Sequence, residues 1–278
     1  MGIVSEQFVL RNGVEIPKVG FGTWQTPNDV APQAVQTALR AGFTHVDTAR
    51  AYENESGVAE GVRLSGVPRE SVFVTTKVPA QFKTYEEATV SIDTSLSELD
   101  LGYIDLLLIH APKPWPQMFD PDAPAYHEEN AAVWRALEEA QQRGDVRAIG
   151  VSNFHIDDLE YLLAHSTVAP TVNQIRFHVG HTQDDLAAYC HTHDLLVEAY
   201  SPIATGKLLR HPAIEAIAAR LGRTVAQVCI RYAYQKDTLP LPKAVHDEFI
   251  LQDADIDFEL GVADMEILDA VSEADLQH

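Results

Sequence analysis

The chain has 278 residues, with 20 Lys+Arg against 41 Asp+Glu for a formal net charge of -21 at pH 7. Its 46% hydrophobic and 22% charged residues argue against disorder, and so acidic a surface repels nucleic acid and anionic lipid, leaving any bound phosphate to a local group of donors. The longest apolar runs are strand-sized and the N-terminus lacks a basic patch followed by a long apolar region, so the expectation is a cytoplasmic protein with no membrane partner.

In chain order, two short apolar runs first flank Asn12-Gly13, a pair that signals a two-residue hairpin turn. A short strand candidate spans 19–22. Helical segments then lead one after another into strands: 29–41 into THVDT, 55–64 into SVFVTTK, 86–99 into YIDLLLIH and 128–143 into VRAIGVS. The same alternation continues with 157–164 into PTVNQI, 184–192 into LLVEAYS and 225–234 into TLPLPK. These strands read as continuous apolar runs, the pattern of a parallel sheet covered on both faces.

Eight such units without a dividing linker predict one domain over 1–278, a (β/α)8 barrel with an N-terminal β-hairpin. The open doubly wound alternative announces itself with a GxGxxG loop, but here GFGTWQTP offers only Gly20 and Gly22. The stretches APKPWPQMFDPDAPAYHEE and SPIATGKLLRHP show no periodic pattern and leave the strand ends where a barrel places its active site. Cys190 and Cys229 read as small buried hydrophobes on helices.

Four polar residues close strands or follow them. Asp47 ends THVD, Tyr52 lies in the next loop, Lys77 ends VFVTTK and His110 ends IDLLLIH. Converging at one barrel face, they would suit reduction of a carbonyl. A tyrosine gives the proton, a lysine held by an aspartate stabilises the phenolate, and a histidine orients the carbonyl oxygen. Taken singly, each also has a bland reading as an ion pair, a packed ring or a buried histidine. A metal-dependent hydrolase would need several converging histidines; no such set is present near the early strands, so no metal is expected.

GFTHVDTARAYENE closely resembles the aldo-keto reductase signature, FVTTK the lysine strand of that family, and DLLLIHAP its histidine strand. VRAIGVSNF, TVNQIRFH, EAYSPIATG and LPKAV continue the likeness in family order, most like the small bacterial reductases of diketo-sugar acids and assorted aldehydes. The resemblance implies Tyr52 as general acid supported by Lys77 and Asp47, with His110 orienting the carbonyl. It also implies that Ser152, Asn153 and Gln174 hold the nicotinamide carboxamide and that Tyr200, next to Ser201, stacks under the ring. Gly22 and Thr23 would lie beside the cofactor, and Trp24 would form part of the substrate wall.

The adenosine end departs from the family. Lys243 is kept, but Ala244 stands for a serine and Phe249 for an arginine, while His246 could partly compensate and Asp247 and Glu248 add repulsion. NADPH is the family default, and these residues imply that NADH is tolerated or preferred. Ala111 stands where a tryptophan commonly follows the histidine, so Trp115, Met118 or Phe119 would fill the gap or leave it wide. A short C-terminal tail adds to the expectation of an open site, and Arg50 could meet a substrate carboxylate. The expected partners are a small aldehyde, ketone or diketo-sugar, with the chain a monomer; the alternative is a non-catalytic dinucleotide-binding barrel, for which loss of Tyr52 or Lys77 would be the mark.

Overall fold

A computed structural model describes residues 2–118 and 120–276. After a hairpin of β1 (Gln7–Val9) and β2 (Glu15–Pro17), eight strands follow: β3 (Phe21–Gly22), β4 (His45–Asp47), β5 (Phe73–Val78), β6 (Ile104–Ile109), β7 (Val146–Ser152), β8 (Val172–Arg176), β9 (Leu196–Tyr200) and β10 (Leu239–Leu241). Their parallel pairings run in chain order. The last meets the first where the Gly20 N–H donates to Pro240 O at 3.0 Å and the Gly22 N–H to Pro242 O at 2.8 Å. The sheet is thereby closed into the (β/α)8 barrel. Gly20 is required at that seam, since a Cβ there would sit 2.5 Å from Leu241 and 2.6 Å from the His45 ring.

The helices that cover the barrel are α1 (Ala31–Ala41), α2 (Glu55–Ser65), α3 (Tyr85–Leu99), α4 (His127–Arg143), α5 (Ile156–His165), α6 (Asp184–Thr192), α7 (Pro212–Leu221), α8 (Val225–Gln235), α9 (Asp247–Ala254) and α10 (Val262–Asp269). A reciprocal cap starts α3: Thr84 Oγ1 accepts from the Glu87 N–H and the Glu87 carboxylate from the Thr84 N–H. SPIATGKLLRHP is not a plain loop. It holds a 3-10 stretch, Ala204–Arg210, interrupted by left-handed Thr205 and Gly206, and α7 begins at Pro212. Among the described residues, no helix is long and apolar enough to cross a membrane. Both cysteines are buried free thiols on α6 and α8.

The hairpin forms where expected, but its turn is longer than two residues. The Leu10 N–H donates to Val14 O at 2.9 Å and the Gly13 N–H to Leu10 O at 2.8 Å, so Arg11, Asn12 and Gly13 make the loop, with Gly13 at φ 82. Leu10 and Ile16 project from the hairpin into an apolar cluster with Phe73, Leu106, Leu108, Ala148, Val172, Leu239 and Leu241, which plugs the barrel interior. Alternate residues of the same strands, such as Val74, Leu107, Ile109, Ile149 and Ile175, join the larger core beneath the helices. Along β5 this alternation carries Phe73, Thr75 and Lys77 inward, and along β9 it carries Leu196, Glu198 and Tyr200. The barrel is thus apolar at its hairpin end and polar toward the strand C-termini.

Candidate active site

The Lys77 ammonium lies fully buried between both Asp47 carboxylate oxygens, each 2.8 Å away, and Thr48 O at 2.7 Å. Burial alone would lower this lysine, but the Asp47 and Tyr52 charges and the hydrogen bond to Asp47 outweigh it, so Lys77 is raised and stays protonated. Tyr52 ends a 3-10 turn, Arg50–Tyr52, that places its ring centroid 5.1 Å from the ammonium. Burial pushes the phenol up to about 12 while Lys77 pulls it back, so Tyr52 holds its proton at neutral pH. The His110 ring meets Tyr52 edge to face at 5.5 Å. Buried, and near the Lys77 charge, His110 is held well below the usual histidine range and is neutral; its Nδ1 has no partner among the described residues. A neutral imidazole can donate a hydrogen bond without giving up a proton, whereas the Tyr52 phenol carries a proton beside the Lys77 charge that would stabilise its phenolate.

The nicotinamide candidates form one network beside this pair. Ser152 Oγ donates to Gln174 O at 2.9 Å, the Asn153 amide to Ser152 Oγ at 3.0 Å and to His110 O at 3.2 Å, and the Tyr200 hydroxyl to Asn153 Oδ1 at 2.8 Å. Gln174 donates to Asp47 Oδ2 at 2.9 Å, so the network reaches the Lys77–Asp47 ion pair itself. Asn153 and Ser201 adopt left-handed backbone, at φ 59 and φ 54, which turns the chain sharply at the ends of β7 and β9. These amide and hydroxyl groups on one rim, with an aromatic ring among them, are chemically suited to a nicotinamide carboxamide.

Other candidates sit differently from the simplest expectation. Thr23 is fully buried, and both its N–H and its hydroxyl donate to Asp47 O, at 3.0 and 2.9 Å, so it anchors the aspartate strand. Gly22 packs against the segment that carries Lys243: a Cβ there would come within 3.6 Å of Lys243 Cβ. Ala111 is fully buried and lines no open surface, while Trp115, in the 3-10 turn Trp115–Gln117, meets His110 edge to face at 5.2 Å. Trp115 thus supplies an aromatic wall there; Phe119 lies outside the described residues. Trp24 is 46% exposed. Arg50 faces Glu55 at 3.3 Å and Glu98 at 4.0 Å, engaged with its own chain.

In the segment after β10, where the resemblance would place an adenosine, His246 and Phe249 are exposed and meet edge to face at 5.9 Å, Ala244 is buried, and burial lowers Lys243. Asp247 accepts from the Thr37 hydroxyl at 2.9 Å, which ties its carboxylate to α1. Composition alone does not foreshadow two further residues. Lys83 is a buried lysine, lowered to about 8 by burial, that donates to Ala111 O at 3.1 Å and Asn130 Oδ1 at 2.8 Å. Glu198, fully buried in the middle of an apolar-looking strand, accepts from Gln174 at 2.6 Å. The signal for both was a charge inside or beside a run that otherwise reads as core.

The model of the family described as Aldo/keto reductase family matches residues 18–273. A glyoxal reductase of Bacillus subtilis (strain 168) is 39% identical over 265 residues, covering 95% of this chain and 91% of that one. The crystal structure of an aldo/keto reductase from Brucella melitensis superposes with a TM-score of 0.87 at 37% identity, covering 95% and 98% of the two chains. A Bombyx mori aldo-keto reductase solved in complex with NADP gives a TM-score of 0.84 at 32% identity, covering 95% and 92%.

Proposed function

Because the chain belongs to the aldo/keto reductase family and is an oxidoreductase, we propose that it reduces small aldehydes and α-dicarbonyl compounds to alcohols with Tyr52 as proton donor. The observation that carries this reading is the placement of one protonated phenol between a buried Lys77–Asp47 ion pair and a neutral His110. A nicotinamide cofactor, when bound, supplies the hydride. The His110 N–H and the Tyr52 O–H both point their chemistry at a carbonyl oxygen. As that oxygen gains charge, Tyr52 yields its proton and the Lys77 ammonium stabilises the phenolate left behind. Asp47 keeps Lys77 charged and in place. In this reading Ser152, Asn153 and Gln174 hold the carboxamide, Tyr200 and Ser201 support the ring, and Gly22 lets the chain pass close by.

The substrate class rests on the half-exposed Trp24 and Trp115, which offer an aromatic rim, and on the likeness to a glyoxal reductase; a diketo-sugar acid belongs to the same chemical range. NADPH remains the first cofactor to try, and NADH is tolerated because Ala244 and Phe249 offer a 2'-phosphate no hydroxyl or guanidinium. We take the acting unit to be a single chain in the cytoplasm.

The test is loss of reduced-nicotinamide absorbance with NADPH and NADH in parallel, against glyoxal, methylglyoxal and simple aldehydes. Tyr52→Phe is expected to lower kcat by roughly 10²–10⁴-fold, the range for a general acid, with cofactor affinity kept. Parent-like turnover in Tyr52→Phe would remove the phenol from the mechanism.

A further inference from the structure

One buried carboxyl group has no place in that reaction. Glu198 lies in the barrel interior on β9, beside Gln174 in register and on its other side Leu239. Its Oε2 accepts from the Gln174 amide at 2.6 Å, while its Oε1 meets no partner among the described residues and stands 4.0 Å from His45 Nε2. The same Gln174 nitrogen donates to Asp47 Oδ2 at 2.9 Å. The amide nitrogen has two hydrogens, and two carboxyl groups take them both. Turned over, the amide would aim its carbonyl oxygen at the Asp47 carboxylate paired with Lys77, so this orientation is favoured and only the side-chain carbonyl oxygen of Gln174 is left for a ligand.

We propose that Glu198 is a positioning residue of the reductase site, acting through the Gln174 amide on the Asp47–Lys77 pair and on the grip of the nicotinamide. This rests on the catalytic reading given above. The charged or titratable groups that face Glu198 are Asp47 and His45 from β4 and Lys77 from β5; β8 and β10 contribute uncharged Gln174 and Leu239. Burial first, and the Asp47 charge second, raise Glu198 to about 8. It therefore keeps its proton at neutral pH and loses it as the pH rises through about 8. The new negative charge raises Lys77 further and makes the Tyr52 proton harder to release, so carbonyl reduction slows on the alkaline side.

The experiment compares parent, Glu198→Gln and Glu198→Leu in two measurements: kcat across pH 6–10, and NADPH affinity by fluorescence titration. Glutamine keeps an acceptor for Gln174 and cannot ionise, so the parent profile should fall by up to about tenfold per pH unit above a break near 8, and the break should vanish in Glu198→Gln. Leucine removes the acceptor and should weaken NADPH binding about tenfold, the worth of one hydrogen bond to a strongly polar acceptor. A break that stays in place in Glu198→Gln overturns the proposal, as does Glu198→Leu binding NADPH as tightly as the parent. A parent that binds NADPH and reduces no carbonyl counts against the catalytic reading instead, and the affinity comparison then decides the role of Glu198 alone. Should Glu198→Leu fail to fold, the Glu198→Gln profile decides.

Discussion

His45 shows how a single side chain couples the barrel interior to pH. Its ring is fully buried, with Nε2 2.9 Å from Thr75 Oγ1 and Nδ1 without a partner among the described residues. Burial first, then the Lys77 charge, push it down from 6.5 to about 3. In the unfolded chain it takes a proton below about 6.5, while in the fold it stays neutral until about 3. Its contribution to stability is therefore fully present above 6.5 and is lost as the pH falls toward 3, by at most about 1.4 kcal/mol per pH unit. Urea unfolding at pH 7 and pH 4.5 should show a smaller loss on acidification in His45→Asn than in the parent; equal losses would mean that other groups carry the acid sensitivity. The sequence marked His110 as functional because it closes a strand. His45 and Glu198 carry no such mark, because THVDT and LLVEAYS look like ordinary buried strands, and which face each residue takes depends on strand register, set only when neighbouring strands pair.

At the scale of elements, Trp115 forms one wall of the site, and the chain that leads to it, at Ala111 and Pro112, hangs from a clamp. Lys83, from the loop after β5, donates to Ala111 O and to Asn130 Oδ1, and the Asn130 amide donates to Pro112 O at 2.9 Å. The clamp is buried, so removing the ammonium leaves two acceptors dry, a cost of about 1–3 kcal/mol each. Lys83→Met should lower Tm and raise KM for the carbonyl several-fold while changing kcat less, as expected if Trp115 loses its place against His110. Unchanged KM with lowered Tm would confine Lys83 to stability. The segment itself was legible as a long loop at a strand C-terminus, because prolines and a lack of periodicity announce that much. The clamp was not legible, since Lys83 and Asn130 are 47 residues apart and nothing local ties them. The hairpin teaches the same at short range: Asn12-Gly13 announced the turn, but tertiary packing of Leu10 and Ile16 into the barrel chose the longer loop.

For the whole molecule, a net charge of -21 on a chain of this size means self-repulsion that salt screens. Tm should rise by several degrees between about 10 mM and 300 mM NaCl, over which the Debye length shrinks from about 30 Å to less than 10 Å. A flat or falling Tm would show that local ion pairs, such as Arg69 with Asp105 at 2.7 Å, outweigh the net repulsion. The sequence by itself determined the alternation of helices and strands, the eight strands of the barrel and the closing of Asp47, Lys77 and His110 onto strand ends, because periodicity and turn chemistry are local, while the helix at Pro212–Leu221 emerged only in the fold. It also carried the family likeness, since seven motifs kept their order. Only the tertiary structure decided that Ala111 is buried and Trp115 stands against His110, that Thr23 anchors Asp47, and that Glu198 reaches the Asp47–Lys77 pair through Gln174. Those facts arise from contacts between strands and loops far apart in sequence, and burial in the closed barrel then sets the protonation of each group.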